Sequence, residues 1–293
     1  MSQPLRKAVI LAAGLNSRFL PMTKAVPKAM LPIVDKPVIQ YLVEEAISAG
    51  IQDILIVTGR GKSAIEDHFS HSAELAQELK SRGKEDLLAK IEEIEKMARF
   101  SYVHQEDPHG DGHALLCAKD WIDGEAFAVL FGDDLVDHPK SALSQLKEVF
   151  DQVQAPVIAV QEVPLENISA YGVVDPASSL ELPLKGLVEK PQPSDAPSNL
   201  GIIGKYICTP DVLTHLEKLW HAKPDGELRL IDGLRARLSS GQALHAVKIQ
   251  GHRYDTGHLS GWLQANLAFA MKNPELKADL QKTWNKSNPS QEH

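Results

Sequence analysis

The sequence predicts an α/β fold, with a mixed, mostly parallel central sheet and helices on both of its faces. Three observations predict it. Apolar runs that do not alternate with polar residues recur at 7–14, 53–58, 126–131 and 156–163, as strands covered on both sides require. Stretches of helical periodicity separate them. The resulting β-α-β-α-β order favours parallel pairing through crossover helices.

Each element follows in order. Residues 7–14 read as a buried strand ending at Gly14. Residues 37–49 place apolar side chains at 38, 39, 42, 43, 46 and 47, with Gly50 as a C-cap, and predict a helix. Residues 53–58 are a second buried strand, and 63–69 a helix. The charge-rich stretch 73–97 is helical, with a break at Gly83. A short strand is expected at 100–104, a helix from 112 to 119, a strand at 126–131, a helix at 141–150 and a strand at 156–163. Beyond about residue 164 shorter strands appear, at 172–174, 184–189 and 202–208. Helices at 211–219 and 227–238, a strand at 243–249 and a last amphipathic helix at 258–271 complete the pattern. The tail from Asn273 is polar, and 285–293 are expected to fray. A chain of 293 residues allows one large domain or two small ones. No long linker or repeat divides it, so one domain with a second half completing the site is expected.

Composition narrows the function. The net charge is −8, which excludes a nonspecific nucleic-acid binder. The charge is uneven: residues 1–36 carry net +5 and the rest net −13, so the basic segment points to an anionic ligand. Two cysteines, Cys117 and Cys208, exclude a disulfide scaffold and a Cys-rich zinc site. The apolar stretch 8–13 is too short for a signal peptide, and no run approaches the roughly 20 residues of a membrane span. A cytoplasmic protein is expected.

Four constellations carry chemistry. In the segment Gly14-Leu15-Asn16-Ser17-Arg18, a strand-end glycine lets backbone N–H groups approach a phosphate, while Arg18 and Lys28 supply charge. It matches neither G-x-G-x-x-G nor G-x-x-x-x-G-K-[ST], and an ordinary loop with solvated basic residues is the competing reading. Asp133, with Asp134 beside it, ends a buried strand and is either a hard oxygen ligand for Mg²⁺ or a turn aspartate. Asp255 in Tyr254-Asp-Thr-Gly257 is a second such ligand or a helix N-cap. In Val188-Glu-Lys-Pro191, Glu189 offers an acceptor to sugar hydroxyls and Lys190 a charge to a monophosphate, or the two are a surface ion pair. His109 and His113 are separated by glycines at 110 and 112, which argues against a helical zinc pair. There is no G-x-S-x-G motif.

Taken together these segments resemble the bacterial UTP–glucose-1-phosphate uridylyltransferases, within the sugar-phosphate nucleotidyltransferase superfamily. The resemblance spans about residues 6–271. It rests on Ala13-Gly-Leu-x-x-Arg18-Phe-Leu-Pro-x-Thr-Lys24-Ala-x-Pro-Lys28-x-Met-Leu-Pro, Ile65-Glu-Asp-His-Phe69, Gly112-His-Ala114, Phe127-Ala-Val-Leu-x-Gly-Asp-Asp134, Tyr171-Gly-Val-Val-Asp-Pro176, Val188-Glu-Lys-Pro191, Ala196-Pro-Ser-Asn-Leu200 and Tyr254-Asp-x-Gly257. It implies a Rossmann-like fold with a smaller β-rich sugar-binding half. A single nucleotidyltransferase domain would span 1–272, with a nucleotide half at 1–163, a sugar-phosphate half at 164–272 and a tail at 273–293. The implied reaction joins UTP and glucose 1-phosphate into UDP-glucose and pyrophosphate, with Mg²⁺ as cofactor. The alternatives are a relative using dTTP, GTP or another sugar phosphate, or a weakly active nucleotide-binding paralogue. Carried over by position, Arg18, Lys28, Asp133, Lys190 and Asp255 are the catalytic set, with Asp133 and Asp255 holding the metal. Ala13, Gly14, Asn16, Ser17, Gln105 and Gly112 face the nucleotide. Gly172, Glu189, Lys190 and Glu227 face the sugar phosphate. The resemblance also implies a homodimer or homotetramer, without nucleic-acid or membrane partners.

The chain departs from the family pattern at several positions. Gly-Leu-Gly-Thr-Arg becomes Gly14-Leu-Asn16-Ser17-Arg18, and Lys-Glu-Met becomes Lys28-Ala29-Met30. Gly-Leu-Gly-His becomes Gly110-Asp111-Gly112-His113, and Glu-Ile-Gln-Leu-Thr-Asp becomes Glu227-Leu-Arg229-Leu-Ile231-Asp232. A carboxylate at 111 accepts from a guanine edge but repels uracil carbonyls, which makes GTP a candidate; the competing reading points Asp111 to solvent.

Overall fold

The computed structural model describes residues 4–14, 17–177, 182–223 and 226–287. Its strands are β1 (Lys7–Leu11), β2 (Pro32–Ile33), β3 (Lys36–Pro37), β4 (Asp53–Thr58), β5 (Arg99–His104), β6 (Phe127–Phe131) and β7 (Asp134–Asp137). They continue with β8 (Val157–Glu162), β9 (Gly172–Pro176), β10 (Leu182–Glu189), β11 (Leu200–Cys208), β12 (His245–Lys248) and β13 (His252–Asp255). Its helices are α1 (Val38–Ser48), α2 (Ser63–Phe69), α3 (Ala73–Ser81), α4 (Glu85–Glu95), α5 (Asp111–Cys117) and α6 (Lys119–Ile122). Then come α7 (Ala142–Val153), α8 (Asp211–Ala222), α9 (Leu230–Ser239), α10 (Leu259–Ala270) and α11 (Pro274–Ser287).

Nine strands form one sheet in the order β5-β4-β1-β6-β11-β8-β12-β10-β9. The first four run parallel. β11 is antiparallel to both β6 and β8, β12 is parallel to β8, and β10 is antiparallel to β12 and β9. β10 and β11 therefore run against the rest of a mostly parallel sheet. β11 comes from the second half of the sequence yet lies between two strands of the first, so the halves share this sheet.

The sheet explains why the apolar runs do not alternate. On β1, Ala8 and Ile10 face one core with α1 and α7, while Val9 faces the other with α5, α8 and α9. Both faces are covered, so every position is apolar.

Several elements differ from the sequence reading, among them the short strands β2, β3 and β13 and the helix α6. Residues 134–137 form β7, which pairs antiparallel with β13 in a separate ribbon; short strands with charged ends leave no apolar run to read. The helix expected from 227 begins at Leu230, because the Asp232 carboxylate accepts the Arg229 N–H (3.0 Å) and fixes the N-terminus there. The polar tail is helix α11 through Ser287. Its start was signalled by Asn273-Pro274: the Asn273 side chain accepts the N–H groups of Glu275 and Leu276 (3.0 and 3.3 Å), and proline occupies the first helical position. Gly83, at φ +64°, breaks the 73–97 stretch between α3 and α4.

The most deeply buried charge among the described residues lies between the two halves of the sheet. Lys205 on β11 is 0% exposed. Its Nζ donates to the Asp134 carbonyl and pairs with Glu45 Oε2, both at 2.8 Å. Glu45 Oε1 in turn accepts the Leu143 N–H (3.0 Å). The contacts join α1, the start of α7, β7 and β11. Lys205→Ala leaves the Glu45 carboxylate buried and uncompensated, and is expected to lower stability by about 3–5 kcal/mol in urea denaturation.

Candidate functional site

The carboxyl ends of β1 and β6 open onto a cleft, as expected for an open α/β sheet. They meet closely. The Gly132 N–H donates to the Leu11 carbonyl (3.0 Å), and a Cβ on Gly132 would stand 2.8 Å from that oxygen. The cleft has two connected chambers. One of about 360 Å³ is lined by Ala13, Gly14, Lys28, Gln105, Gly110 and Asp133 among others. A larger one of about 940 Å³ includes Arg18, Gly172, Glu189, Lys190, Arg229 and Asp255. Asp111, Phe131, Asp133 and Glu227 line both.

Asp133 and Asp255, 122 positions apart in sequence, meet at Gly257. A Cβ on Gly257 would lie 2.5 Å from Asp133 Oδ2 and 2.8 Å from Asp255 Oδ1. A side chain there would push both carboxylates aside, which gives the glycine of the Tyr-Asp-Thr-Gly motif a physical reason. The Asp133 carbonyl accepts both the N–H and the hydroxyl of Thr256 (2.8 Å each), and Asp255 Oδ1 accepts the Gly257 N–H (2.9 Å). Two converging hard oxygens suit Mg²⁺, which takes one or two carboxylates and completes its shell with water and phosphate. Lys28 Nζ lies 2.5 Å from Asp133 Oδ2.

Asp134 has a different task from its neighbour. It points inward, where Oδ1 accepts from Arg253 Nε (2.5 Å) and Oδ2 from the Gly204 N–H (2.7 Å). Arg253 also reaches Asp255 Oδ2 (3.5 Å) and the Tyr171 hydroxyl (3.2 Å). Burial disfavours the Arg253 charge, yet Asp134 and Asp255 outweigh it and hold the guanidinium charged well above its ordinary range.

The first chamber is shaped by two loops. Lys62 donates from Nζ to the carbonyls of Ala12 and Gly14 (2.6 Å each) and braces the strand-end turn. Burial, with Lys28 nearby, pushes its ammonium down to about 8. Gln105 Nε2 donates to the Gly110 carbonyl (3.0 Å) and lies 3.0 Å from His113 Nδ1. The His109 and His113 rings pack edge to face, both against Trp220. Gly110, at φ +98°, lines the chamber. Gly112 is buried in α5 instead: its N–H goes to the Leu228 carbonyl (2.9 Å), and a Cβ would stand 2.8 Å from the Arg229 backbone. Ser17 begins a 3-10 turn and lies outside both linings, and Asn16 is outside the described residues.

In the second chamber Gly172 and Glu189 are register partners on β9 and β10. Lys190 comes next in a left-handed conformation, φ +48°, with its side chain 53% exposed and Nζ 3.8 Å from Glu189 Oε1. Arg229 donates to Glu189 Oε1 and to Glu227 Oε2 (2.7 Å for the latter). Arg18 reaches the mouth beside His258 (Nη1 to Nε2, 3.2 Å). Asp111 does not point to solvent: Oδ1 accepts the Leu230 N–H (2.6 Å) at the N-terminus of α9. Burial pushes its carboxyl up to about 6, against the lowering effects of that N–H and of Arg229.

Sequence reasoning passed over Lys62, Gly110 and Arg253. Lys62 and Arg253 carry no motif, because each acts through a partner far away in sequence. Gly110 was legible as one of the two glycines before His113.

The family model described as Nucleotidyl transferase matches residues 7–272 of the chain. A UTP–glucose-1-phosphate uridylyltransferase of Bacillus subtilis is 46% identical over 278 residues, 94% of each chain. One of Staphylococcus epidermidis is 45% identical over 94% of this chain and 96% of its own. Among solved structures, UDP-glucose pyrophosphorylase from Acinetobacter baumannii superposes with a TM-score of 0.88 at 36% identity, covering 97% of this chain and 99% of that one. A UDP-glucose pyrophosphorylase complexed with UDP-glucose gives 0.81 at 39% identity, over 92% and 100% of the two chains.

The Asp111 environment sets a pH dependence. Its folded carboxyl titrates above the ordinary 3.8, so the native state holds a proton that the unfolded chain releases between about pH 4 and 6. The associated stability is full below that window and is lost as pH rises through it. Asp111→Asn removes the titration while keeping an acceptor for Leu230. Urea denaturation at pH 4 and pH 7 is expected to show the wild type losing roughly 1–3 kcal/mol more than the variant.

Proposed function

This chain belongs to the nucleotidyl transferase family, among the bacterial UTP–glucose-1-phosphate uridylyltransferases, and we propose that its cleft forms UDP-glucose and pyrophosphate from UTP and glucose 1-phosphate. The observation that carries this reading is the convergence of Asp133 and Asp255 at Gly257, where the two chambers join.

In this reading the glucose 1-phosphate oxygen attacks the α-phosphorus of UTP in line. The new P–O bond forms as the bond to pyrophosphate breaks, so no protein nucleophile is needed. The work of the chain is positioning and charge stabilisation. Ala13, Gly14, Gln105 and Gly110 form the nucleotide side. Lys28 and Arg18 steady the triphosphate and the departing pyrophosphate. Lys190 holds the sugar phosphate, whose hydroxyls donate to Glu189, with Gly172 and Glu227 alongside. Asp133 and Asp255 would hold Mg²⁺, which supplies neutralisation of phosphate charge when bound. Lys62 and Arg253 position Gly14 and Asp255 respectively.

A pyrophosphate-release assay crossing UTP, dTTP, GTP, ATP and CTP with glucose, galactose and N-acetylglucosamine 1-phosphates tests this. UTP with glucose 1-phosphate is expected to be fastest; faster turnover with another nucleotide overturns the uridylyl reading. Nucleotide binding without product would mark a non-enzymatic paralogue. Asp133→Ala is expected to lower kcat about 10²–10³-fold with an unchanged circular dichroism spectrum. Chelation is expected to stop the wild type and added Mg²⁺ to restore it.

No helix among the described residues is long and apolar enough to cross a membrane. Cys117 and Cys208 are free thiols, which suits a reducing cytoplasmic setting. Self-association as a homodimer or homotetramer is supported by α10. Leu259, Leu263 and Leu267 recur every fourth residue and are 53%, 52% and 57% exposed, a stripe of the kind that marks an interface. Leu263→Glu is expected to shift the protein toward monomer in light scattering; an unchanged mass places the interface elsewhere or removes it.

A further inference from the structure

Asp111, in the first turn of α5, and Arg229, just before α9, come together in space. Arg229 bridges Glu189 and Glu227 through its two terminal nitrogens. Asp111 is bonded to Leu230, the next residue, and feels the Arg229 charge and those of both glutamates. One half-buried guanidinium thus pairs with two carboxylates in the second chamber, with the Asp111 carboxylate held at the next residue. Ile231 approaches Gly172 beside Glu189 Oε2.

This arrangement bears on Lys190. Its ammonium is 3.8 Å from Glu189 Oε1, the oxygen that Arg229 already occupies. A carboxylate held by a bidentate-capable guanidinium has less attraction left for a neighbouring lysine. Without Arg229, the three carboxylates would draw Lys190 inward and repel an incoming phosphate dianion.

We propose that Arg229 is a positioning residue for the sugar-phosphate half of the cleft: it offsets Asp111, Glu189 and Glu227, so that Lys190 remains free for the phosphate of the sugar substrate. Asp111 and Arg229 are then a compensating pair, the carboxylate tolerated because the guanidinium accompanies it. The proposal rests on the reading of this cleft as a uridylyltransferase site.

Steady-state kinetics with UTP and glucose 1-phosphate test it. Arg229→Gln is expected to raise KM for glucose 1-phosphate about tenfold, with kcat within about threefold and KM for UTP within about twofold. Asp111→Asn combined with Arg229→Gln is expected to return that KM to within about threefold of wild type, because the surplus carboxylate has gone with the guanidinium. A merely structural Arg229 would show no such rescue and would raise both KM values together. Should Arg229→Gln not fold, Arg229→Lys supplies the same reading. Arg229→Lys keeps the charge without the double bridge and is expected to raise it less than tenfold. An Arg229→Gln KM within twofold of wild type, failure of the double variant to recover, or a parallel rise in KM for UTP overturns the proposal. Absence of turnover by the wild type overturns the underlying uridylyltransferase reading instead.

Discussion

The buried ion network around Asp134 is the constraint on which the cleft depends. Asp134 is 4% exposed and Lys205 0% exposed, and neither charge survives there unpaired. Arg253 satisfies the Asp134 carboxylate, Gly204 adds an N–H, and Lys205 takes the Asp134 carbonyl together with Glu45. These bonds hold β7 against β13 and β11 and set which way residue 134 faces. Asp133, in the turn just before β7, faces the cleft. The same Arg253 reaches Asp255. A purely internal requirement, that buried charges be paired, therefore aims both carboxylates of the candidate metal site.

Charge in the cleft is managed by pairing in the same way. The basic segment 1–36 divides by task. Lys7 is structural, donating to the carbonyls of Trp121 and Ile122 and pairing with Glu125. Lys36 pairs with Glu44 and lies over the Tyr41 ring. Lys28 and Arg18 reach the chambers. Lys62, from outside that segment, braces the loop that carries Gly14, and its lowered ammonium reflects both burial and Lys28. On the sugar side the balance is reversed: carboxylates outnumber cations, and Arg229 is the group that ties two of them together.

How much was legible depends on what each feature rests on. β1, β4 and β6 were legible because strands covered on both faces must be apolar at every position. Gly83 was legible because a break between helices needs a residue tolerant of positive φ. The start of α11 was written in Asn273-Pro274, a local capping signal overshadowed by the polarity of the residues after it. β7 and β13 were not legible, since each is four residues long and pairs with a segment more than 110 positions away. Nor can spacing separate the roles of two adjacent aspartates in one motif. Asp133 faces the cleft and Asp134 faces Arg253, a division that only their surroundings impose.

By itself the sequence determined the α/β layering, the family and the residue types that meet phosphate, because these rest on local periodicity and on contiguous motifs. Tertiary structure alone decided which groups share a space. It brought Asp133 to Asp255 across Gly257, turned Asp134 toward Arg253, put Gly110 rather than Gly112 in the chamber wall, and bonded Asp111 to the Leu230 N–H. The physical reason is that pairing energies depend on distance through space, and chain separation says nothing of that distance until the sheet is assembled.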